Sequence, residues 1–293
     1  MKFGVYTVST PEYDYESATK LIKDMGYDGV EWRVAAAPAP DASDSYALRY
    51  WNANNSTIDK NHIQEDTLRA KKASDAAGLE IFGLAPDLPL EENEKFAEIV
   101  KAAAAIGVKQ VRYGLISFDP EKTGMDYTTH CEYLRTKMRE LEPVLKANNV
   151  KLVIEMHHGT LTPSASAAYR VLDGFDPQYY GLIYDIGNMV FEGYEDPVKS
   201  FQLLGDYITH VHLKNGILEQ DGVDALGAVT WKNTWVPLKK GQANLQKLFD
   251  AMVKAGYDGT VSLEDFSNEE TTEEKLRNNL EYMHMLLERA KGK

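Results

Sequence analysis

The sequence predicts a single α/β domain, a (β/α)8 TIM barrel spanning residues 1–293. Three observations point there. Short β-branched-rich runs alternate with amphipathic runs from end to end, and strict alternation of that kind implies a parallel sheet. Eight such units fit in 293 residues, near the roughly 250 residues typical of this barrel. The rival, an open doubly wound sheet, wants a Gly-rich phosphate turn after an early strand, and none is present.

Lys2–Thr7 reads as the first strand and Asp14–Met25 as the first helix, with Ala18, Leu21, Ile22 and Met25 on one face. Gly26 stands where a helix is closed by a left-handed residue. Gly29–Arg33 is the second strand. Val34–Asp59 is a long connection with Pro38 and Pro40, then Tyr46, Tyr50 and Trp51; its aromatic content favours a functional loop. Asn61–Ala77, capped by Gly78, is a helix, Leu79–Ala85 the third strand, Glu91–Ile106 a helix stopped by Gly107, and Lys109–Gly114 the fourth strand. Tyr127–Asn148 reads as one helix kinked or broken at Pro143.

The fifth strand begins at Lys151 and runs into Glu155-Met156-His157-His158-Gly159. Pro163–Leu172 is a helix, and Tyr180–Tyr184 is the sixth strand, leading to Asp185-Ile186-Gly187-Asn188. Pro197–Leu204 is a helix, and Ile208–Leu213 is the seventh strand. Lys214–Gln242 reads as a second long loop, carrying Trp231 and Trp235. Asn244–Ala255 is a helix, Gly259–Leu263 the eighth strand, and Glu273–Ala290 the closing helix. The turn Gly26-Tyr27-Asp28-Gly29 recurs as Gly256-Tyr257-Asp258-Gly259. Both copies precede strands, on the face of a barrel that serves stability, and read as structural.

Composition narrows the function. A single cysteine, Cys131, excludes an internal disulfide, and a reducing compartment fits. The opening residues lack a signal-peptide pattern, and no stretch approaches about 18 apolar residues. A cytoplasmic protein without membrane contact is expected. The net charge of −13 opposes nucleic acid as a general partner, and leaves room for a small substrate in a local pocket.

In a barrel the C-terminal ends of the strands converge on one face, where chemistry is done. Four acceptors stand at consecutive strand ends: Glu155 on the fifth, Asp185 on the sixth, His212 on the seventh and Glu264 on the eighth. Singly, each could be a helix cap or a surface charge. Together they form a hard, oxygen-rich set that would repel itself without a cation. It suits Mn²⁺ first, with Mg²⁺, Co²⁺ or Zn²⁺ as alternatives.

These residues carry a resemblance. Glu-x-His after strand five, Asp-x-Gly after six, His-x-His-x-Lys on seven and Ser-x-Glu on eight resemble the xylose isomerase-like barrels. More narrowly, they resemble the sugar phosphate isomerase/epimerase group, which includes ketose 3-epimerases, hydroxypyruvate isomerases and inosose dehydratases. The resemblance covers nearly the whole chain and is strongest from strand five onward. It implies one divalent metal held by Glu155, Asp185, His212 and Glu264, with Glu155 and Glu264 also acting as the acid/base pair. It implies isomerase or epimerase action on a ketose-like α-hydroxycarbonyl compound through an enediolate. The same site chemistry serves a lyase or dehydratase of a keto-inositol or 3-keto-glycoside. A non-catalytic sugar- or metal-binding protein is the reading from another class. Barrels of this kind often pair through their upper loops, so a homo-oligomer stays within expectation.

Further substrate contacts are expected from His157, Lys214, Arg33, Arg112, Tyr6 and Asn188. Alternation places His157 on the inward side with Glu155, whereas His158 should point away and be structural. His210 lies one pleat below His212 and reads as a core hydrogen-bonding residue. Arg33 and Arg112 offer guanidinium forks for hydroxyls or phosphate, or salt bridges to Glu31 in the barrel core. Trp51, Trp231 and Trp235 could stack on sugar faces or pack loops. Many relatives carry His where Asn188 stands, which argues against a second metal. The apurinic endonucleases of this fold need that His and an Asp-x-His in the strand-seven loop, and the chain has neither.

Overall fold

The computed structural model describes residues 1–38 and 49–293. Eight parallel strands close on themselves: β1 (Lys2–Tyr6), β2 (Gly29–Ala35), β4 (Glu80–Pro86), β5 (Gln110–Arg112), β6 (Lys151–Glu155), β7 (Tyr180–Asp185), β8 (Ile208–Leu213) and β11 (Thr260–Leu263). The circle is completed by β11 beside β1 and β1 beside β2. The long connection after β2 contributes an unanticipated strand, β3 (Thr57–Asp59). It pairs with Arg33–Ala35 of β2, beyond the point where β1 ends. Pro40 and Tyr46 lie outside the described residues.

Two-residue periodicity assigns each strand's faces. On β2 the outward Trp32 donates from its indole to Ser74 Oγ on helix α2 (Ile63–Ala77), at 3.2 Å. Its neighbours Glu31 and Arg33 are buried on the opposite side. On β8, Val211 and Leu213 join the outer core while His210 and His212 face inward, and on β6 Leu152 and Ile154 do the same around Glu155. The C-terminal mouth of the barrel therefore inherits whatever follows the inward residues.

The helices end as their residues dictate. Asp14 caps α1 (Tyr15–Met25) by accepting from Ser17 N–H, and Gly26 closes it at φ 100°. The recurring turns stay at the strand N-termini: Asp28 accepts from Phe3 N–H at 2.9 Å, and Tyr27 O–H donates to Leu276 O at 2.8 Å. Pro143 breaks the helix expected over 127–148 into Tyr127–Glu140 and Glu142–Asn148, where proline takes a first-turn position that needs no donor. Short helices at Pro120–Thr123 and Ile186–Phe191 were not anticipated.

The largest correction concerns 214–242. It is a β-hairpin, β9 (Asn215–Val223) against β10 (Val229–Val236), not an irregular loop. Most of the hairpin is exposed on both sides, so no apolar/polar alternation marks it. Among the described residues, no helix is long and apolar enough to cross a membrane.

Candidate metal centre

Glu155, Asp185, His212 and Glu264 meet inside the C-terminal mouth of the barrel. Each offers one atom, and all four atoms lie within 4.8 Å of one another. All four side chains are buried. His212 Nδ1 stands 3.5 Å from Glu155 Oε1, 3.8 Å from Glu264 Oε2 and 3.9 Å from Asp185 Oδ2, and has no hydrogen-bond partner among the described residues.

Two cations are folded into this cluster. Arg112 Nη1 donates to Glu155 Oε2 at 2.6 Å. Lys214 Nζ donates to Glu264 Oε2, and lies 2.9 Å from Asp185 Oδ2 and 4.0 Å from Glu155 Oε1. Lys214 continues the inward register of His210 and His212. The backbone makes room for it because Gly187 faces it: a Cβ there would stand 2.4 Å from Lys214 Cγ and 2.7 Å from Lys214 O. Asn188 ties the loop together. Its amide donates to Asp185 Oδ2 (2.8 Å) and Met156 O (3.1 Å), and its N–H donates to Asp185 Oδ1 (3.0 Å).

The charges set one another. Burial pushes the Glu264 carboxyl up, to about 7; Lys214 and His212 oppose the rise, and Glu155 and Asp185 add to it. Burial raises Asp185 as well, against the pull of Lys214. For Glu155, burial is outweighed by the positive charges of Arg112, His212 and Lys214, which hold it well below the usual carboxylate range. Burial alone would neutralise Lys214, but Asp185 and Glu264 keep it charged. Burial likewise opposes a charge on His212, and Glu31 and Glu155 overcome it. Unequal environments around paired carboxylates are the usual arrangement for acid and base roles.

A divalent cation fits these residues. The donor set is three carboxylates and one imidazole whose unpartnered nitrogen faces them, a composition suited to hard divalent ions. The Lys214 ammonium is a stand-in, since it shows the carboxylates stabilising positive charge at this place.

Above the cluster lies a pocket of about 320 Å³. Glu155, Glu264, Lys214 and Arg112 line its floor, and Tyr50, Trp51, Trp235 and Phe266 supply aromatic walls. His157 lines it as expected, and burial drives its imidazole down to about 4, so it is neutral at pH 7. His158 also lines it, contrary to expectation. It stacks on His157 at 4.4 Å between centroids and bonds Asn188 Oδ1 through Nδ1 at 2.9 Å. β6 ends at Glu155, so strand alternation does not extend to His158.

Three expected substrate contacts, Arg33, Tyr6 and Asn188, do not line the pocket. Arg33 is committed to the loop, donating to Thr57 Oγ1 at 2.7 Å and Trp51 O at 2.9 Å. Tyr6 is stacked on His212 at 5.5 Å, fully buried. Asn188 is spent on the Asp185 loop. Trp231 is 61% exposed on the hairpin, away from the pocket. Glu31 makes no ion pair with either arginine; it accepts from His210 and His212 instead. Sequence reasoning missed Phe266, Leu115 and the reach of Glu31. Only the inward register of Glu31 on β2 pointed to the last.

A closed eight-stranded parallel barrel with an oxygen-rich cluster at its strand ends places the chain among the (β/α)8 TIM barrels. The chain belongs to the xylose isomerase-like TIM barrel family, whose sequence model matches residues 19–284. It is similar to an inosose dehydratase from Clostridium tetani (strain Massachusetts / E88), 29% identical over 133 residues, covering 43% of this chain and 44% of the relative. The chain thus spans less than half the length of that relative. The fold is similar to a 3-keto-D-glucoside 4-epimerase from E. coli, with TM-score 0.69, 17% identity, and 97% and 99% of the two chains covered. It is also similar to a xylose isomerase-like TIM barrel protein from Mycobacterium smegmatis solved in complex with magnesium, with TM-score 0.67, 18% identity, and 99% and 97% covered.

Proposed function

We propose that this protein is a divalent-metal-dependent sugar isomerase or epimerase acting on a ketose-like α-hydroxycarbonyl compound. The observation that carries the reading is the convergence of Glu155, Asp185, His212 and Glu264 beneath an aromatic-walled pocket. Those four residues would hold one divalent ion, Mn²⁺ by preference, with Mg²⁺, Co²⁺ or Zn²⁺ as alternatives. Such an ion polarises a carbonyl and stabilises negative charge on neighbouring oxygens, making the adjacent C–H acidic.

The chain's own residues then divide the remaining work. Glu155 and Glu264 reach the pocket from different strands and would remove a proton from the substrate carbon and return one to it. Arg112 hydrogen-bonds Glu155 and favours its ionised form, and Lys214 hydrogen-bonds Glu264. Lys214 and neutral His157 would hydrogen-bond substrate oxygens. Trp51, Trp235 and Phe266 would cover an apolar sugar face and exclude water.

A second reading has its own support. The curated relatives include inosose dehydratases, and a proton abstracted next to a carbonyl can be followed by loss of a β-hydroxyl. The protein would then be a lyase acting on a keto-inositol or 3-keto-glycoside. Incubation with ketoses, keto-inositols and 3-keto-glycosides in D₂O with Mn²⁺ separates the two. An epimerase or isomerase yields isomeric product with deuterium at the exchanged carbon. A dehydratase yields product lighter by one water. Absence of exchange and of product across the panel contradicts both and favours a binding protein.

A further inference from the structure

We propose that Glu31, on the second barrel strand, is a positioning residue that fixes which nitrogen of His212 is offered to the metal centre. The inference rests on His212 being a metal ligand. A neutral imidazole carries one proton, and the nitrogen that donates a hydrogen bond leaves the other as the lone pair. His212 Nε2 lies 2.8 Å from Glu31 Oε2. An ionised carboxylate only accepts, so Nε2 keeps its proton, and when the ring gives up its other proton to a metal it is Nδ1, the nitrogen facing Glu155, Asp185 and Glu264, that offers the lone pair.

Glu31 is itself held. The same Oε2 accepts from His210 Nε2 at 3.0 Å. His210 has its own tautomer set from outside: Nδ1 accepts from Thr260 Oγ1 at 2.6 Å, while Nε2 also lies 2.9 Å from Ser262 Oγ. The chain of contacts runs Thr260, His210, Glu31, His212, and crosses the barrel interior from the eighth strand to the seventh and second. No member of the Glu31–His210–His212 set is more than 1% exposed, so water does not compete for these bonds. Tyr6 stacks on the His212 ring at an interplanar angle of 19° and fixes its plane. The spacings of 2.8 and 3.0 Å are those of hydrogen bonds.

Loss of a partner that orients a ligating histidine typically weakens metal affinity by about 10–100-fold. The test is Zn²⁺ titration calorimetry on metal-free wild type, Glu31→Gln and Glu31→Asp, with the ¹⁵N-histidine spectrum of each Zn²⁺-loaded protein. The neutral Gln keeps the shape, and Asp keeps the charge but withdraws it by one methylene. The expected result is Zn²⁺ binding weakened by about 10–100-fold in Glu31→Gln, less in Glu31→Asp, and a wild-type His212 with its proton on Nε2. Affinity within about threefold of wild type in both folded variants overturns the inference, as does a wild-type His212 metallated through Nε2. A purely structural role would lower thermal stability in both variants without changing affinity or the His212 signals, and would also overturn it. Failure of wild type to bind any Zn²⁺ is a different outcome: it removes the metal reading itself, and this inference with it.

Discussion

Lys214→Met is the most informative single change in the cluster. It removes the ammonium that contacts Glu264 and Asp185 and keeps an unbranched apolar stem one atom shorter. All three groups are buried, so the two carboxylates are left without that partner in a low-dielectric site. Breaking a buried ion pair from one side costs about 3–5 kcal/mol. For a domain of this size each kcal/mol lowers Tm by roughly 2–4 °C, so the metal-free variant should melt roughly 10 °C below wild type. A divalent ion replaces the missing charge, so the variant should bind Mn²⁺ more tightly than wild type, and at saturation each tenfold gain in its affinity over wild type returns about 1.4 kcal/mol of the deficit. Calorimetric melting with and without saturating Mn²⁺ reads both effects. The deficit should be large in EDTA and small in Mn²⁺. It should also depend on pH. Glu264 has its folded value raised to about 7 from an ordinary value near 4.5. A carboxyl raised on folding stabilises below its unfolded value and loses that contribution as pH rises through its folded value. Loss of Lys214 pushes the carboxyls further up, so the metal-free deficit should grow between pH 5 and pH 8. An equal deficit with and without Mn²⁺, or one that shrinks as pH rises, refutes this account of the cluster.

The remaining predictions concern the cluster's supports. Gly187→Ala forces a Cβ against the Lys214 backbone and should destabilise by about 1–3 kcal/mol, read by urea unfolding; an unchanged midpoint contradicts the close approach. Asn188→Ala strips the amide from Asp185, Met156 and His158, and should weaken Mn²⁺ binding by about 10–100-fold in calorimetric titration. Unchanged affinity would show that the Asp185 loop holds itself. Tyr6→Phe removes a buried hydroxyl that has no hydrogen-bond partner among the described residues. Its stability should stay within about 1 kcal/mol of wild type or rise, and a loss above about 2 kcal/mol would reveal a partner.

The barrel and the four converging residues were legible because each lies on or just past a strand read correctly, at the inward register. The same period-two rule that places His210 and His212 inward carries Lys214 to the cluster, although a lone lysine past a strand reads equally well as a solvated loop residue. The rule failed where the strand stopped. β6 ends at Glu155, so His158 turns into the pocket instead of away from it. Glu31 was hidden for another reason. Its partner His212 is 181 residues away, across a closed barrel, and alternation says which side a residue faces but not which residue it meets. The hairpin after Lys214 was missed because its strands are solvated on both faces and lack the apolar stripe that a half-buried strand carries.

The central claim is that Glu155, Asp185, His212 and Glu264 form one divalent metal site. Its most direct test is metal content after loading with Mn²⁺ and exhaustive dialysis, measured by elemental analysis on wild type and on Asp185→Ala with His212→Ala. The account predicts one Mn²⁺ per chain in wild type and none in the double variant. Wild-type protein that retains no divalent ion, or a double variant that retains the full complement, would contradict it.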